Sequence, residues 1–352
     1  MNNVRKKFTL QVFDTDFNRH GAIRVTKSTV WKESYRDRGS FMLVASDTPD
    51  NVRLLQIGWY YYRPEKQTAM MIVSLERDSV KGEITARGFS TTWLLDQRVI
   101  YPTVFINGNV EAGMYNLINS NRRLPRLVTA PVKGLQGTID TQFTGKEMLK
   151  TLNELAALND WGFKTIFDWE NKQHVFTIYQ GTDRTQYNGV VPPIIASDRT
   201  GGLGDIKITE DNSAFKNVAI VAGEDTGSNR VVVEVGNAQG LDRFETFVDA
   251  RDLRRDELTL QQYQNLLTSR GKEKLSEMIK SFNFVALPKT GPQVSNIFDT
   301  NYFNGDKITS ISKRYLVELD NRIMASEEVL EGNFNNVYLT IGEPMIRRWG
   351  TS

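Results

Sequence analysis

Two short acidic clusters contain the carboxylates best placed to bind a cation or to act as a catalytic pair. Asp14 and Asp16 are two positions apart with His20 nearby, so on a strand the two carboxylates would share a face and could hold a cation. Glu327 and Glu328 resemble a glycosidase pair in composition, but adjacent strand residues point to opposite faces and cannot flank one bond. Because no further carboxylates lie near Asp14, we interpret the first cluster as a solvated strand end. Neither cluster predicts a metal site or a catalytic pair.

The cysteine and histidine content excludes several other kinds of site. The chain contains no cysteine, which excludes disulfides, thiolate catalysis and cysteine-based zinc sites. Its two histidines, His20 and His174, are too few for a multi-histidine metal site, and His174 at the start of a predicted strand fits an edge or core residue. No nucleophile, base and orienting group can be assembled, so we predict no catalytic, cofactor-binding or metal-ligating residues.

Signals for phosphate binding are weak. The densest basic cluster, Asn-Arg-Arg-Leu-Pro-Arg at 121–126, is typical of a solvated face. The glycine-rich segment at 201–204 lacks the lysine-serine ending of a P-loop and the dinucleotide-binding spacing. With 44 Lys and Arg against 42 Asp and Glu in 352 residues, the net charge is only +2, which argues against a dedicated nucleic-acid-binding protein.

An aromatic run, Trp59 to Tyr62, allows two interpretations. It could form a platform on which sugars stack, or a strand with core aromatics on one face and subunit-interface aromatics on the other. We favour the strand. Together with Trp349 near the end of the chain, these residues exceed what one face of a small barrel needs to bury. The predicted interface residues are Trp59, Tyr60, Tyr61, Tyr62 and Trp349.

A helix followed by a hairpin is the clearest local structure. The segment Thr144-Gly145-Lys146-Glu147 fits a capping box in which Thr144 caps a helix, and apolar residues then recur at helical spacing. From Trp161 to Thr185, aromatic and β-branched residues alternate on two strands around a four-residue turn. Phe163, Thr165 and Phe167 share one face of the first strand with Trp169, and His174, Phe176, Ile178 and Gln180 share one face of the second.

The remaining chain predicts a β-rich α+β protein of about two to three domains. Short strands with turn signals fill residues 8–105, and a helix is predicted from Leu258 to Phe282, with Gly271 as a kink or a break. The predicted divisions are a barrel-like domain at 1–105, an α+β domain at 106–190, strands plus a long helix at 191–285, and a β segment at 286–352 that packs back on an earlier barrel. The predicted strands of the last segment are 307–312, 315–319, 322–328 and 337–341.

The amino-terminal sequence MNNVRKKFTL has basic residues but no apolar core of a signal peptide. No stretch approaches the ~20 apolar residues of a membrane span. We therefore expect synthesis and folding in the cytoplasm of the producing cell, without a membrane span.

Taken in order, several motifs resemble the tail-hub family of siphophages and prophages, whose members sit at the tail tip beside the distal tail protein. The resemblance extends over nearly the whole chain and rests on the order and spacing of the pieces. They are Gly39–Leu43, Arg87–Ser90, Leu94–Arg98, Trp161–Phe163, Tyr179–Thr185, Phe215–Ala219, Arg243–Asp249, Gly305-Asp306, Arg322-Ile323, Glu327-Glu328 and Leu339–Gly342.

This resemblance implies a fold similar to the trimeric hub of contractile-tail baseplates, with two small β-barrel domains and α+β insertions. It also implies a homotrimer at the virion tail tip, around a channel through which tape-measure protein and DNA pass without sequence recognition. The implied partners are the distal tail protein, the tape-measure protein and tail-tip or receptor-binding proteins. No catalytic residue or cofactor is implied. Since the chain stops at Ser352, we expect any cell-wall hydrolase activity on another protein.

Two alternatives come from other classes of function. The first is a carbohydrate-binding module that recognises the host surface through Trp59–Tyr62, and the second is a cell-wall glycan hydrolase.

Overall fold

The computed structural model describes residues 9–24, 27–198, 203–288, 297–331 and 334–342. Within residues 9–24 and 27–90, alternating apolar residues build seven antiparallel strands, which we call the first sheet, in the order β3-β4-β7-β6-β5-β1-β2. The strands are β1 (Thr9–Phe13), β2 (Arg19–Arg24), β3 (Ser28–Ser34), β4 (Ser40–Ser46), β5 (Tyr60–Arg63), β6 (Thr68–Asp78) and β7 (Glu83–Ser90), with helices α1 (Pro49–Leu54) and α2 (Trp93–Asp96).

The helix and hairpin form the next unit, and the hairpin prediction is confirmed. Phe163 pairs with Ile178, and Phe167 pairs with His174. On the two predicted faces, the buried residues are Phe163, Thr165, Phe167, His174, Phe176 and Ile178. Trp169 at the turn and Gln180 after the second strand are exposed. The elements are β8 (Val104–Asn109), α3 (Val110–Asn121), β9 (Leu127–Thr129), β10 (Thr138–Phe143), α4 (Met148–Leu158), β11 (Gly162–Asp168) and β12 (Gln173–Tyr179).

The predicted capping box before α4 is wrong. The N-cap residue is Glu147, which makes no side-chain cap hydrogen bond. The Thr144 hydroxyl instead lies 2.6 Å from the Thr103 hydroxyl. Gly145 has a positive φ of 67°, and residue 147 forms a bridge with Val99, so the chain is still extended where the pattern predicted a helix.

A third unit packs the long helix on a three-stranded sheet. The predicted helix begins near its expected start, with a capping box formed by Thr259 and Gln262. Its predicted end is wrong, because it stops at Ser276 and a strand begins at Ser281. The elements of this unit are β16 (Val218–Ala222), β17 (Val232–Val235), β18 (Glu245–Asp249) and α5 (Leu260–Ser276). The strands β13 (Asp183–Arg184), β14 (Ile195–Ser197), β15 (Leu203–Asp211) and β19 (Ser281–Pro288) precede or follow it in the chain and pair outside it.

Gly271 neither breaks nor ends α5. A Cβ atom at this position would lie 2.6 Å from the Val235 Cγ2 atom and 2.9 Å from the Val221 Cγ2 atom. The glycine therefore permits close packing of α5 on the sheet, at a modest cost in helix propensity.

One long strand connects the amino-terminal strands to the carboxyl-terminal ones. β20 (Lys307–Ser312) matches its prediction, and β22 (Phe334–Ile341) contains the last predicted strand. The two strands predicted between them are a single strand, β21 (Val317–Glu331), which continues through the expected turn because Asp320 and Asn321 pair with Thr309 and Ile308.

β21 pairs with β20 through its first half, and with β22 and β3 through its second. The sheet thus runs in the order β15-β19-β22-β21-β3 into the first seven strands. The β-rich α+β class is confirmed. Among the described residues, however, no strand pair closes this path into a barrel. The domain boundaries at 105, 190 and 285 stay predictions.

An aromatic cluster joins the first sheet to the hairpin. Phe13, Phe17, Tyr60, Tyr62 and Phe167 are all buried in it. Phe17 and Phe167 stack with ring centroids 4.8 Å apart. The sheet is therefore covered on this face by another part of the same chain.

Candidate functional site: a buried junction around Tyr35

Tyr35 follows the end of β3 at the place where three parts of the chain meet. Its side chain is completely buried. Its backbone N–H donates to the Met324 carbonyl at 2.9 Å, and its carbonyl accepts from the Phe163 N–H at 2.9 Å. One residue thus bridges the first sheet, the carboxyl-terminal strands and the hairpin.

The Tyr35 hydroxyl continues these connections. It donates to the Asp160 carbonyl at 3.1 Å and accepts from the Gly181 N–H at 3.2 Å, so it ties both ends of the hairpin. Burial raises the pKa of Tyr35, although the Arg322 charge opposes this shift. The hydroxyl is therefore protonated at neutral pH and serves as a fixed donor.

Glycines form the walls against the Tyr35 ring. A Cβ atom on Gly162 would lie 2.2 Å from the ring carbon Cε2, and one on Gly305 would lie 2.4 Å from the same atom. Gly305 also has a positive φ of 95°, a conformation that L side chains rarely adopt. Both positions require glycine for the ring to fit.

Arg322 and Asp160 form a forked ion pair beside the ring. The Arg322 Nε atom donates to one Asp160 oxygen at 2.7 Å, and a terminal guanidinium nitrogen donates to the other. The guanidinium lies 5.2 Å from the centroid of the Tyr35 ring and also donates to the Gly305 carbonyl.

Two more cations approach the Asp160 carboxylate. The Lys307 Nζ atom lies 2.9 Å away, and an Arg36 nitrogen lies 3.8 Å away. Partial burial raises the pKa of Asp160, but hydrogen bonds from Arg322 and Lys307 outweigh this and leave it below its ordinary value. The carboxylate stays charged and anchors three cations.

Asp306 binds the segment that follows the hairpin. Its carboxylate accepts from the Thr182 N–H at 2.8 Å, the Arg184 Nε atom at 3.1 Å and the Phe303 N–H at 3.1 Å. Because these partners come from different segments, the Asp306 carboxylate holds those segments together.

A second ionic group joins the β5–β6 hairpin to the carboxyl-terminal region. The buried Arg63 side chain lies 2.6 Å from the Glu328 carboxylate. Lys66 lies 2.8 Å from Asp299 and 3.5 Å from Glu33. These charges line a cavity of about 940 Å³ between the two regions. Together, the two groups fix the first sheet to the carboxyl-terminal region between residues 299 and 328.

The predicted aromatic interface residues are placed differently from expectation. Tyr60, Tyr61 and Tyr62 are buried inside the chain, and the Tyr61 hydroxyl donates to the Leu54 carbonyl at 2.9 Å. Trp59 is partly buried and stacks on His20 with centroids 4.4 Å apart. Both faces of β5 are therefore core, which leaves the three tyrosines little surface for a sugar or another subunit.

Trp349, the other predicted interface residue, lies outside the described residues. Its role stays a prediction, as does that of Trp59.

The first acidic cluster organises its own turn. The Asp14 carboxylate accepts from the Asp16 and Asn18 N–H groups at 2.9 Å each and lies 2.9 Å from His20 Nε2. Slight burial raises the pKa of Asp14, but these hydrogen bonds lower it to about 2. In the part of the chain that the structure describes, no three His, Cys, Asp or Glu residues are grouped as metal ligands.

The other candidate residues are also structural. Glu328 is buried against Arg63, whereas Glu327 pairs with Lys32 across the ladder. His174 is a core residue whose Nε2 atom lies 3.2 Å from the Tyr60 hydroxyl. The glycine-rich segment at 201–204 lies partly outside the described residues, which resume at Leu203 in β15.

Isolated motifs do not predict the central role of Tyr35 and Asp160. Tyr35 bonds to Asp160, 125 positions away, and Asp160 bonds to Arg322, 162 positions away. The sequence did carry a signal. The motifs containing Gly162, Gly181, Gly305 and Arg322 were among those on which the family resemblance rests.

Solved structures with similar folds include three tail proteins, all aligned over nearly their full length. A tail protein from Neisseria meningitidis MC58 is 15% identical, with a TM-score of 0.55 and coverage of 96% of this chain and 97% of the other. Prophage tail protein gp18 from Listeria monocytogenes EGD-e is 11% identical, with a TM-score of 0.57 and coverage of 96% and 95%. The 43 kDa tail protein of prophage MuSo2 from Shewanella oneidensis is 9% identical, with a TM-score of 0.60 and coverage of 95% and 98%.

The fold is therefore one shared with phage and prophage tail proteins. A family model described as "Siphovirus ReqiPepy6 Gp37-like protein" matches residues 9–343, and the chain belongs to that siphovirus tail-protein family. The resemblance to siphovirus and prophage tail proteins is thus confirmed. No curated protein sequence matches the chain. Within the described ranges, no helix is both long and apolar enough to cross a membrane.

Proposed function

We propose that this protein is the central hub of a siphovirus tail tip. In this role, three copies form a ring that joins the distal tail protein above to the tip and receptor-binding proteins below. The ring surrounds the passage for the tape-measure protein and DNA. The main support is the family match over residues 9–343, combined with a fold shared along almost the full length of prophage tail proteins.

The junction around Tyr35 fits such a role. A hub must keep its parts in fixed positions while other proteins attach to several of its faces. Interlocked glycine walls, the Arg322–Asp160 pair and the Asp306 contacts hold three parts of the chain together without a reactive group. We therefore infer a structural role and no catalytic activity.

Assembly with the distal tail protein is the decisive test. Light scattering should show a trimer at high concentration, or once the purified distal tail protein is added, because a ring that closes around an axis uses the same contact in every copy. A protein that stays monomeric and does not bind the distal tail protein would overturn the proposal.

A turbidity assay on cell walls tests the inference of no catalytic activity. The purified protein should leave the walls intact. Clearing that is lost on substitution of one carboxylate would contradict this inference.

A further inference from the structure

Three large apolar side chains are exposed in the segment between α2 and α3. Val99, Tyr101 and Phe105 belong to one seven-residue segment and are 48%, 67% and 60% exposed. A basic loop lies beside this segment, since the Tyr101 N–H donates to the Asn121 side chain at 2.6 Å. Exposed apolar side chains rimmed by polar residues can mark an interaction site.

Basic residues lie beside Val99 and Tyr101. We define the basic–aromatic strip as Arg98, Val99, Tyr101, Phe105, Arg122, Arg123 and Lys146. Lys146 belongs to it because its carbonyl accepts from the Ile100 N–H at 2.9 Å. The segments 97–105, 121–125 and 142–147 contain four basic side chains, all of them in the strip, and one acidic residue, Glu147. None of the four forms an ion pair with any residue that the structure describes.

Backbone carbonyls hold the arginines in place. Arg123 donates to the Tyr101 carbonyl at 2.7 Å and to the Val99 carbonyl. Arg98 donates to the Arg122 carbonyl at 3.3 Å, and Arg122 donates to the Leu127 carbonyl at 2.7 Å.

These bonds orient the guanidinium groups without neutralising their charge, and they leave most of the five donors of each arginine unused. Less side-chain entropy is then lost when an anion binds, which favours association.

We propose that the basic–aromatic strip is the docking surface for an acidic face of a neighbouring tail protein, the distal tail protein being the first candidate. This choice of partner rests on the proposed hub function. The excess of positive charge requires carboxylates opposite it, and aromatic residues with arginine are the side chains enriched at protein interfaces. The aliphatic Val99 and the nearly neutral net charge of the chain favour a protein over a nucleic acid.

Binding of the purified distal tail protein to the full chain, measured by calorimetry, tests the surface. Tyr101→Ser removes an anchor, and Lys146→Glu reverses a charge whose side chain forms no hydrogen bond or ion pair with a described residue. Tyr187→Ser and Lys272→Glu are matched controls, since Tyr187 is 82% exposed and Lys272 is exposed on α5. Each strip variant should weaken binding at least ~10-fold and each control less than ~2-fold, and added salt should weaken the wild-type complex.

The outcomes separate this inference from the hub proposal. If the wild type and both strip variants bind equally well, the strip is not the docking surface, although the hub function stands. If the wild type does not bind, the hub proposal and the choice of the distal tail protein both fail.

Cross-linking in assembled tails then decides whether the strip docks another tail protein, because it needs no assumption about which one. A photoreactive benzoylphenylalanine in place of Tyr101 should cross-link to an acidic segment of a different tail protein, and the same residue in place of Tyr187 should not. A cross-link to a second copy of this chain, or none, would overturn the inference. So would wild-type binding of duplex DNA that Lys146→Glu abolishes.

Discussion

Replacement of Arg322 by methionine should destabilise the protein far more than the loss of a surface ion pair. The Arg322 side chain is only 6% exposed and forms a forked pair with Asp160. Methionine keeps much of the apolar stem but leaves the Gly305 carbonyl without this donor. Removing one partner of a buried pair costs about 3–5 kcal/mol. Because Asp160 is 39% exposed and retains Lys307, we expect a loss of about 3 kcal/mol, at the lower end of that range.

Arg251→Met is the matched control. Arg251 forms a similar forked pair with Asp249, but its side chain is 62% exposed, and a pair in solvent contributes at most about 1 kcal/mol. Urea unfolding compares the two variants, and hydrogen exchange of the Gly181 amide reports on the junction itself, since a chain of this size need not unfold in one step. Equal midpoints for the two variants, with unchanged exchange at Gly181, would refute our account of the junction.

Three further predictions concern single sites. Burial and the charge of a nearby arginine lower the pKa of His174 to about 4. As the pH falls, His174 therefore binds a proton near pH ~6.5 in the unfolded chain but only at a lower pH in the folded chain. The free energy of unfolding should drop by up to about 3 kcal/mol between pH 6.5 and 4, and His174→Phe should flatten this slope in urea titrations. Thr259→Ala should cost about 1 kcal/mol by loss of a capping box, while Thr144→Ala should stay within about 0.5 kcal/mol; thermal unfolding showing the reverse order would contradict the observed caps. Gly271→Ala should destabilise by about 1–3 kcal/mol through overpacking, and a stabilised variant would mean that helix propensity dominates there.

Local patterns predicted those elements that local interactions determine. Alternating aromatic and β-branched residues from Phe163 to Ile178 predicted the hairpin, because one face of each strand is buried. The start of the long helix was predicted to within two positions of Leu260. The turn predicted at Asp320-Asn321 does not form. Two turn-forming residues in succession favour a break, but pairing with Thr309 and Ile308 keeps the strand extended.

Local sequence patterns could not predict the junction around Tyr35. Nothing around Tyr35 in the sequence distinguishes it from other strand tyrosines, and its environment is created by glycines and an arginine from distant segments. Tyr60 and Tyr62 show the same limit. Their alternation correctly predicts two faces of a strand, but not that the hairpin residue Phe167 covers the second face.

The pairing of β21 with β3 also has a consequence for synthesis on the ribosome. Ala325 pairs with Ser34, so this edge of β3 stays unpaired until about 290 further residues have been synthesised. At ~5–20 residues per second, their synthesis takes roughly 15–60 s. During that interval β3 presents unpaired N–H and C=O groups, the kind of edge on which other chains can aggregate. Ribosome-bound intermediates that end before residue 317 should therefore depend on chaperones, and this dependence should cease once β21 has left the exit tunnel.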